Sequence, residues 1–251
     1  MPPVATDALV LHAFDYLETS RIFRLATREY GVLSVLARGV RRSSSRFGSA
    51  LDLFAEGAAR IDMRPGRDLQ TLTGFDVTRA RPELASEMAR FTAAAAISEI
   101  VQRIVTEDHA PDAYEVLRAG LDRLAGAEPG ASVGSALASL WELVAVLGFA
   151  PALDVCAVCH RELDPDQALA FSHSAGGVLC ASCAARAGGS RRLPAAARAT
   201  LLSWTSGDGS PAIGEAEGRS HQRLLREVLS PHLTDGHALK AWTVWEHARW
   251  G

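Results

Sequence analysis

Two cysteine pairs in the second half of the chain restrict its fold more than any other feature of the sequence. Cys156 and Cys159 form one C-x2-C motif, Cys180 and Cys183 form a second, and 20 residues separate them. Each motif can direct two thiolates at one point, and four thiolates complete the closed tetrahedral shell of a structural Zn²⁺. The spacing therefore predicts one structural zinc ion held by all four cysteines.

The residues alone leave other uses of these cysteines open. Two disulfides would need an oxidising compartment, but the start of the sequence lacks the basic and then apolar pattern of a secretory signal. A module that no longer binds metal would not be expected to keep all four cysteines. His160 or His173 could replace one cysteine as a ligand. A catalytic zinc would keep one position open for water, and four cysteines leave none.

The segment between the two motifs contains a predicted hairpin. Residues 168–172 and 178–179 have strand character, and Gly176 and Gly177 stand between them. Such a hairpin would return the second cysteine pair to the first. We predict a four-cysteine zinc finger over residues 153–190, in which the metal fixes a segment that has too little apolar content for a core of its own.

The N-terminal part of the chain shows the pattern of short strands separated by turns. The predicted strands cover residues 8–14, 21–27, 32–38, 51–63 and 69–78. Turn residues stand at 29–31 and 65–68. Five short strands remove most of their exposed edges by closing into an OB-type barrel. Residues 1–80 are therefore predicted to be an OB-fold domain.

The periodicity becomes helical after Pro82, a residue suited to a first helical turn, because Leu84, Met88 and Phe91 recur at helical spacing. The predicted helices cover residues 83–106, 111–125, 135–147, 194–204, 217–230 and 238–249. The helical domain is thus expected in two parts, 81–152 and 191–251, with the zinc finger inserted. The fold class is α+β and multidomain: an N-terminal OB-fold β-barrel and a C-terminal α-helical domain with an inserted four-cysteine zinc finger.

Charge is distributed unevenly along the chain. The net charge is −3, so no global basic excess marks a nucleic-acid-binding protein, and any such surface must be local. Residues 1–80 hold 11 arginines against nine acidic residues, whereas the remainder holds 15 basic against 20 acidic residues. The N-terminal third is therefore the basic part.

An arginine-rich loop follows the third predicted strand. Guanidinium groups chelate phosphate oxygens, serine hydroxyls donate to them, and Gly39 and Gly48 allow close approach of the backbone. The candidate DNA contacts are Arg38, Arg41, Arg42 and Arg46. Phe23, Tyr30 and Phe47 are the candidates for stacking on unpaired bases. An arginine run is also compatible with a solvated surface that binds nothing.

Enzymatic motifs are absent or stand in the wrong context. Lys240 is the only lysine, so the sequence has no P-loop for ATP hydrolysis and no lysine suited to a covalent intermediate. Ser132 lies in a G-x-S-x-G pattern, but a linker precedes it where a hydrolase needs a buried strand, and it is better interpreted as a helix N-cap. No apolar run approaches the roughly 20 residues of a membrane helix. We expect a cytoplasmic protein that is not an enzyme.

Three stretches together resemble the RecO family of bacterial recombination mediators. The first is the strand and basic loop at 31–42 with the Ser-Arg-Phe-Gly run at 45–48. The second is the apolar helix and Gly-Phe-Ala-Pro turn within 140–151, which leads into the knuckle at 156–159. The third is the closing segment 223–240. The likeness covers essentially the whole chain.

This resemblance implies an OB fold, a helical bundle and a zinc finger. It also implies binding of single- and double-stranded DNA and ATP-independent annealing of complementary strands. With RecR, such a protein helps RecA load onto strands coated by single-strand binding protein, and it works at the nucleoid. Family members dock the acidic, apolar C-terminal tail of single-strand binding protein on the helical domain. The residues that could receive that tail's carboxylates are Arg103, Arg223, Arg226 and Lys240.

Two other classes of function stay open. A zinc-stabilised adapter would contact mainly proteins and bind DNA incidentally, and the acidic charge beyond residue 80 is the feature that favours it. A hydrolase would use Ser132 or an open zinc site, which the linker context and the ligand count disfavour.

Overall fold

The structure, a computed structural model, describes residues 3–41, 47, 51–128, 130–209, 212–233 and 237–248. The chain divides into two compact units. The first comprises residues 1–132 together with 237–251, and the second comprises residues 133–236. The domain limits expected from the sequence, at residues 80, 152 and 190, stay predictions.

The first unit begins with a closed five-stranded barrel. Its strands are β1 Val4–Tyr16, β2 Ser20–Thr27, β3 Gly31–Ala37, β4 Glu56–Asp62 and β5 Leu69–Arg79. The order around the barrel is β1-β2-β3-β5-β4, and β1 pairs with β4 to close it. Only the β3–β5 pair is parallel. The OB-type barrel predicted from the sequence is confirmed.

Alternate side chains of the strands fill the barrel. Phe23 and Leu25 of β2, Val35 of β3, Ile61 of β4 and Leu72 of β5 are fully buried. They belong to one apolar cluster. Burial of such a side chain contributes about 1.5–3 kcal/mol, so this inward-facing set of side chains stabilises the five strands.

The fourth strand is shorter than predicted. The prediction began it at residue 51, whereas β4 begins at Glu56. Leu51 and Phe54 are buried without being in a strand. Phe54 has a φ of +64° and its backbone N–H donates to the carbonyl oxygen of Val10 at 2.9 Å. This segment is apolar because it packs against the barrel, not because it belongs to the sheet.

Eight helices are present in the described chain. Their bounds are α1 Glu83–Ser86, α2 Met88–Ile104, α3 Ala110–Ala125, α4 Ser132–Val146, α5 Ala181–Ala184, α6 Ala195–Thr205, α7 Glu215–Leu229 and α8 Lys240–His247. The single helix predicted over 83–106 is wrong, because Glu87 is extended, with φ −132° and ψ 135°, and separates α1 from α2. Ser132, the residue of the hydrolase-like pattern, is the first residue of α4 and is buried.

Helix α8 returns to the first unit and packs on α2. The backbone N–H groups of Lys240 and Trp242 donate to the Glu99 carboxylate, at 2.8 and 2.9 Å. Glu99 thus satisfies two of the free N–H groups at the start of α8. Trp242 and Trp245 are fully buried. A cap from α2 and two buried indoles explain why residues so late in the chain join the first unit.

The second unit contains a small three-stranded sheet. Its strands are β6 Leu169–Ser172, β7 Gly177–Leu179 and β8 Arg191–Leu193, in the order β7-β6-β8. The predicted hairpin corresponds to β6 and β7. Strand β8 was not predicted, since three residues that include two arginines carry no recognisable strand pattern. None of the described helices is long and apolar enough to span a lipid bilayer.

Candidate metal centre and nucleic-acid interface

The four predicted metal ligands lie together in the second unit. The Sγ atoms of Cys156, Cys159, Cys180 and Cys183 all lie within 4.8 Å of one another. Cys159 Sγ and Cys180 Sγ are 3.8 Å apart. In a tetrahedral site with metal–sulfur bonds of about 2.3 Å, as zinc forms, sulfur atoms lie about 3.8 Å apart. The four cysteines are therefore positioned to bind one metal ion.

Backbone hydrogen bonds hold the two cysteine pairs against each other. The N–H of Ala157 donates to the carbonyl of Val178 on β7, at 2.9 Å, and the N–H of Cys180 donates to Cys156 Sγ, at 3.4 Å. Gly177 pairs with Ala152, and a Cβ at Gly177 would lie only 2.3 Å from the Ala152 carbonyl oxygen. The hairpin therefore needs glycine at 177 to bring the second pair close to the first.

Local donors favour thiolates at two of the four positions. The Ser182 hydroxyl, followed by the Cys183 backbone N–H, lowers the pKa of Cys180 to about 6. Burial opposes ionisation of Cys156, yet backbone donors led by Cys159 outweigh it and lower the pKa of Cys156 to about 7. A hydrogen bond with Cys180, together with burial, raises the pKa of Cys183 to about 12. Neighbouring thiolates repel, so a cation is needed before all four ionise.

The other uses considered for the cysteines find no support in this geometry. All four are free thiols, and no disulfide joins them. His160 and His173 are exposed, and the metal-binding group found in the described chain consists of the four cysteines without either histidine. Four thiolates also leave no ligand position for a catalytic water.

Two of the four predicted DNA-contact residues lie in the turn after β3. Arg38 and Arg41 are exposed, and the backbone N–H of Arg41 donates to the Thr19 carbonyl at 3.1 Å. Gly39 between them has a φ of +71°, which a side chain would disfavour. Arg38 has no carboxylate partner within the described ranges, whereas Arg41 Nη1 lies 3.5 Å from Asp15 Oδ2.

The remaining predicted contacts, Arg42 and Arg46, lie outside the described residues. The stacking predictions for two aromatic residues are wrong. Phe23 and Phe47 are buried in the barrel core, because a phenylalanine on an inward-facing position contributes apolar burial. Tyr30 is half-buried in the turn before β3, at the other end of that strand from Arg38.

The turn between β4 and β5 adds two arginines that the sequence did not single out. Arg64 and Arg67 are exposed there. Buried Gln70 braces the turn: its amide accepts from the Arg64 N–H at 2.6 Å and donates to the Arg67 carbonyl at 2.5 Å. Strand β5 runs parallel to β3, and its first residue, Leu69, pairs with Ser34. The turn before β5 therefore lies toward the start of β3, whereas Arg38 follows the end of β3. We call Arg38, Arg41, Arg64 and Arg67 the arginine rim.

A groove in the second unit combines cationic and apolar side chains. Its volume is about 650 Å³, and Arg191, Arg192 and Arg223 lie along it beside Leu193 and Leu224. Arg191 is ion-paired with Glu227, while Arg192 has no carboxylate partner in the part of the chain that the structure describes. Helix α6 begins next to the groove, and no side chain caps its first N–H groups. The groove can therefore receive an anion together with apolar groups.

The four residues predicted to receive acidic groups are divided between the two units. Arg103 and Lys240 belong to the first, where Arg103 donates to the His237 carbonyl at 3.4 Å. Arg223 and Arg226 lie on α7 in the second unit, and both are exposed. Of the four, Arg223 alone lies along the groove.

The fold and the site define a class of protein in which an OB-type barrel precedes a helical region that carries a four-cysteine metal centre. Family comparison agrees: a model described as Recombination protein O N terminal matches residues 1–81, and one described as Recombination protein O C terminal matches residues 85–241. The chain belongs to the RecO family of DNA repair proteins.

Curated relatives extend over most of the chain. The DNA repair protein RecO of Anaeromyxobacter sp. (strain Fw109-5) is 35% identical over 231 residues, which cover 90% of this chain and 89% of the relative. The protein of the same name from Thermobifida fusca is 34% identical over 241 residues, which cover 92% of this chain and 93% of that relative. The DNA repair protein RecO of Geobacter metallireducens is 32% identical over 235 residues, which cover 93% of this chain and 94% of that relative.

Proposed function

We propose that this chain is a non-enzymatic mediator of homologous recombination in DNA repair. It binds single- and double-stranded DNA and anneals complementary strands without ATP. With RecR, it helps load RecA on strands coated by single-strand binding protein, and it acts on the nucleoid in the cytoplasm. Membership of the RecO family and relatives named DNA repair protein RecO support a role in repair.

The arginine rim is the observation that carries the DNA-binding part of this proposal. Its guanidinium groups are exposed on two turns at opposite ends of β3. In OB-folds the face of strands 2 and 3 and the loops between strands 1–2 and 4–5 bind oligonucleotides, and the turn that carries Arg64 and Arg67 is the second of these loops. Guanidinium groups neutralise phosphates and release counterions whatever the base sequence, so one rim serves both single and double strands. Two strands held close together pair faster, because association becomes effectively intramolecular.

The metal in this proposal is a single structural Zn²⁺. Cys156, Cys159, Cys180 and Cys183 would hold it, and four thiolates in a closed shell are the usual ligands of structural zinc. When bound, the ion would cross-link the two cysteine pairs, and the four thiolates would leave no ligand position for a substrate. The cysteines hold the two ends of the hairpin together when the ion neutralises their charge.

The groove between β8, α6 and α7 is the proposed docking site for the C-terminal tail of single-strand binding protein. An acidic, apolar peptide complements the three arginines and two leucines of the lining, in whose described residues Glu217 is the single carboxylate. Arg192 and Arg223 would receive carboxylates, and the uncapped start of α6 adds a favourable dipole. RecR and RecA complete the proposed set of partners.

Annealing of complementary fluorescent oligonucleotides without nucleotide, across a salt series, tests the DNA-binding part. Wild type is expected to accelerate annealing, and the acceleration should fall steeply with salt. The Arg38→Glu/Arg41→Glu variant should lose at least about tenfold in DNA affinity, because two favourable phosphate contacts become repulsive. Arg186→Glu/Arg219→Glu, which reverses two exposed arginines of the second unit, should anneal like wild type.

Two results would redirect the proposal. Equal loss in both double variants would mean that net charge alone governs binding. No annealing by folded wild type that contains zinc would favour the adapter, whose contacts are with proteins and which the acidic charge beyond residue 80 supports.

A further inference from the structure

An exposed aromatic strip lies on the end of β1. A register shift between Val10 and His12 divides the strand. Before it, Ala8 and Val10 join the barrel core, and after it Ala13 packs against that core. A bulge changes which alternate residues face inward, so His12, Phe14 and Tyr16 are turned to the outside.

Most of the large apolar side chains that are exposed in the first unit lie on the outer face of the barrel around the end of β1. Phe14 is 49% exposed, Tyr16 42% and Leu17 75%. Leu69, 37% exposed, pairs with Ser34 on the neighbouring strand edge. These are four of the seven large apolar side chains that are exposed in the described part of the chain. Scattered exposed apolar residues need no explanation, but a cluster marks a binding surface.

The aromatic rings are arranged as a platform. The rings of His12 and Phe14 are stacked, with centroids 4.3 Å apart and planes inclined by 27°. Phe14 pairs with Ile22, and Ile22 with Leu36 on β3, so an apolar row continues across three strands. Tyr16 borders an open cavity of about 420 Å³ that Leu36 and Arg38 also line. Flat rings beside an open cavity can stack with a planar group.

Cations accompany the rings. Arg24 pairs with His12 across the strands and donates to the Ser34 hydroxyl at 2.5 Å. Within the described ranges no carboxylate pairs with Arg24, and burial lowers the pKa of its guanidinium. Arg38 stands at the Tyr16 cavity. Rings next to guanidinium groups that lack an anionic partner suit a ligand made of planar bases joined by phosphates.

The geometry points to His12, Phe14 and Tyr16 as a stacking platform for unpaired bases, which makes the barrel prefer single-stranded over double-stranded DNA. In a duplex the base faces are stacked on each other and only the phosphates remain available, so a duplex can use the arginines but not the rings. This inference rests on the proposed DNA-binding function and specifies which strands its site selects.

The test is binding of a fluorescent oligonucleotide, single-stranded or as a duplex of the same sequence, to wild type and to Phe14→Ala/Tyr16→Ala. The variant is expected to lose about tenfold or more in single-strand affinity, because two stacking contacts are removed, and less than about twofold in duplex affinity. The salt dependence should stay unchanged, since the phosphate contacts remain. Phe14→Trp/Tyr16→Trp, which keeps the rings, should retain the single-strand preference.

Met88→Ala/Val244→Ala is the matched control, because it removes exposed apolar side chains from α2 and α8. It should bind both DNAs like wild type. Equal losses of single-strand and duplex affinity in Phe14→Ala/Tyr16→Ala would overturn the platform. So would unchanged DNA binding combined with lost binding of RecR, which would make the strip a protein interface. Failure of wild type to bind either DNA would instead refute the proposed function, and the platform with it.

Discussion

Arg81 shows how one side chain can join several parts of a unit. Its side chain is 1% exposed, and the guanidinium donates to three acceptors: Glu56 Oε2 of β4 at 2.7 Å, Asp122 Oδ1 of α3 at 2.6 Å, and the Phe54 carbonyl at 3.0 Å. A buried guanidinium is tolerated only when its donors are paired, and here they are paired with the barrel, a loop and a helix. Arg81 thus fixes α3 and the 51–55 segment to the barrel.

Arg81→Met is expected to lower the free energy of unfolding by about 3–5 kcal/mol, because the carboxylates of Glu56 and Asp122 lose their buried partner. Urea denaturation followed by circular dichroism measures the change. Arg60→Ala breaks the exposed ion pair with Asp76 and should leave the free energy of unfolding nearly unchanged, because solvent screens that pair. Similar losses of unfolding free energy in the two variants would contradict the role of Arg81 in joining α3 and the 51–55 segment to the barrel.

The cysteines form the buried cluster at the metal centre. It consists of Cys156, Cys180 and Cys183 with Leu179. The other buried apolar side chains of this segment, which lie outside that cluster, are Leu153, Leu169, Phe171 and Val178. So few apolar groups around the thiols cannot by themselves order both cysteine motifs, so binding of a metal ion contributes to the folding free energy of this element.

Cys180→Ser is therefore expected to lower the metal content, proposed to be one zinc ion per chain, to near zero and to make the segment between the cysteine pairs sensitive to protease. Metal analysis and limited proteolysis measure the two effects, and a strong chelator should reproduce them in wild type. Ser174→Ala, in the turn between β6 and β7, is an exposed change that leaves all four cysteines in place and should keep the bound metal. A folded, protease-resistant Cys180→Ser protein without metal would contradict the structural role.

At the scale of the whole molecule, the two proposed binding surfaces belong to different compact units. The arginine rim lies in the first unit, and the groove with Arg192 and Arg223 lies in the second. Separate cores allow the surfaces to be altered independently, since effects of distant substitutions add when they share no partner. Binding of DNA and of single-strand binding protein should therefore be separable by mutation.

Arg192→Glu/Arg223→Glu is expected to weaken binding of a peptide with the C-terminal sequence of single-strand binding protein by at least about tenfold, because like charges would meet in the groove. Annealing of uncoated DNA should be unchanged. Arg38→Glu/Arg41→Glu should slow the annealing of uncoated DNA and leave peptide binding unchanged. Fluorescence anisotropy with the labelled peptide and the annealing assay measure both. Loss of both activities in either variant would contradict two independent surfaces.

Local patterns in the sequence were sufficient for much of the fold and for the metal centre. Two C-x2-C motifs predicted the four ligands, because two residues between cysteines suffice to direct both thiolates at one ion. Short segments of strand character separated by turn residues predicted five strands, and a change to helical period marked the end of the barrel near Pro82. The positions of Arg38 and Arg41 beside a barrel strand followed from the same pattern.

Tertiary structure decided what depends on pairing between distant segments. The bulge that exposes Phe14 and Tyr16 arises from the register of β1 against its neighbours, and no local pattern records a register. Phe23 faces the core for the same reason. The cap that Glu99 gives to α8, and the bonds of Arg81 to Glu56 and Asp122, join residues far apart in the chain. The sequence by itself determined most of the elements and the four-cysteine cluster, whereas only packing determined which side chains those elements leave exposed for binding.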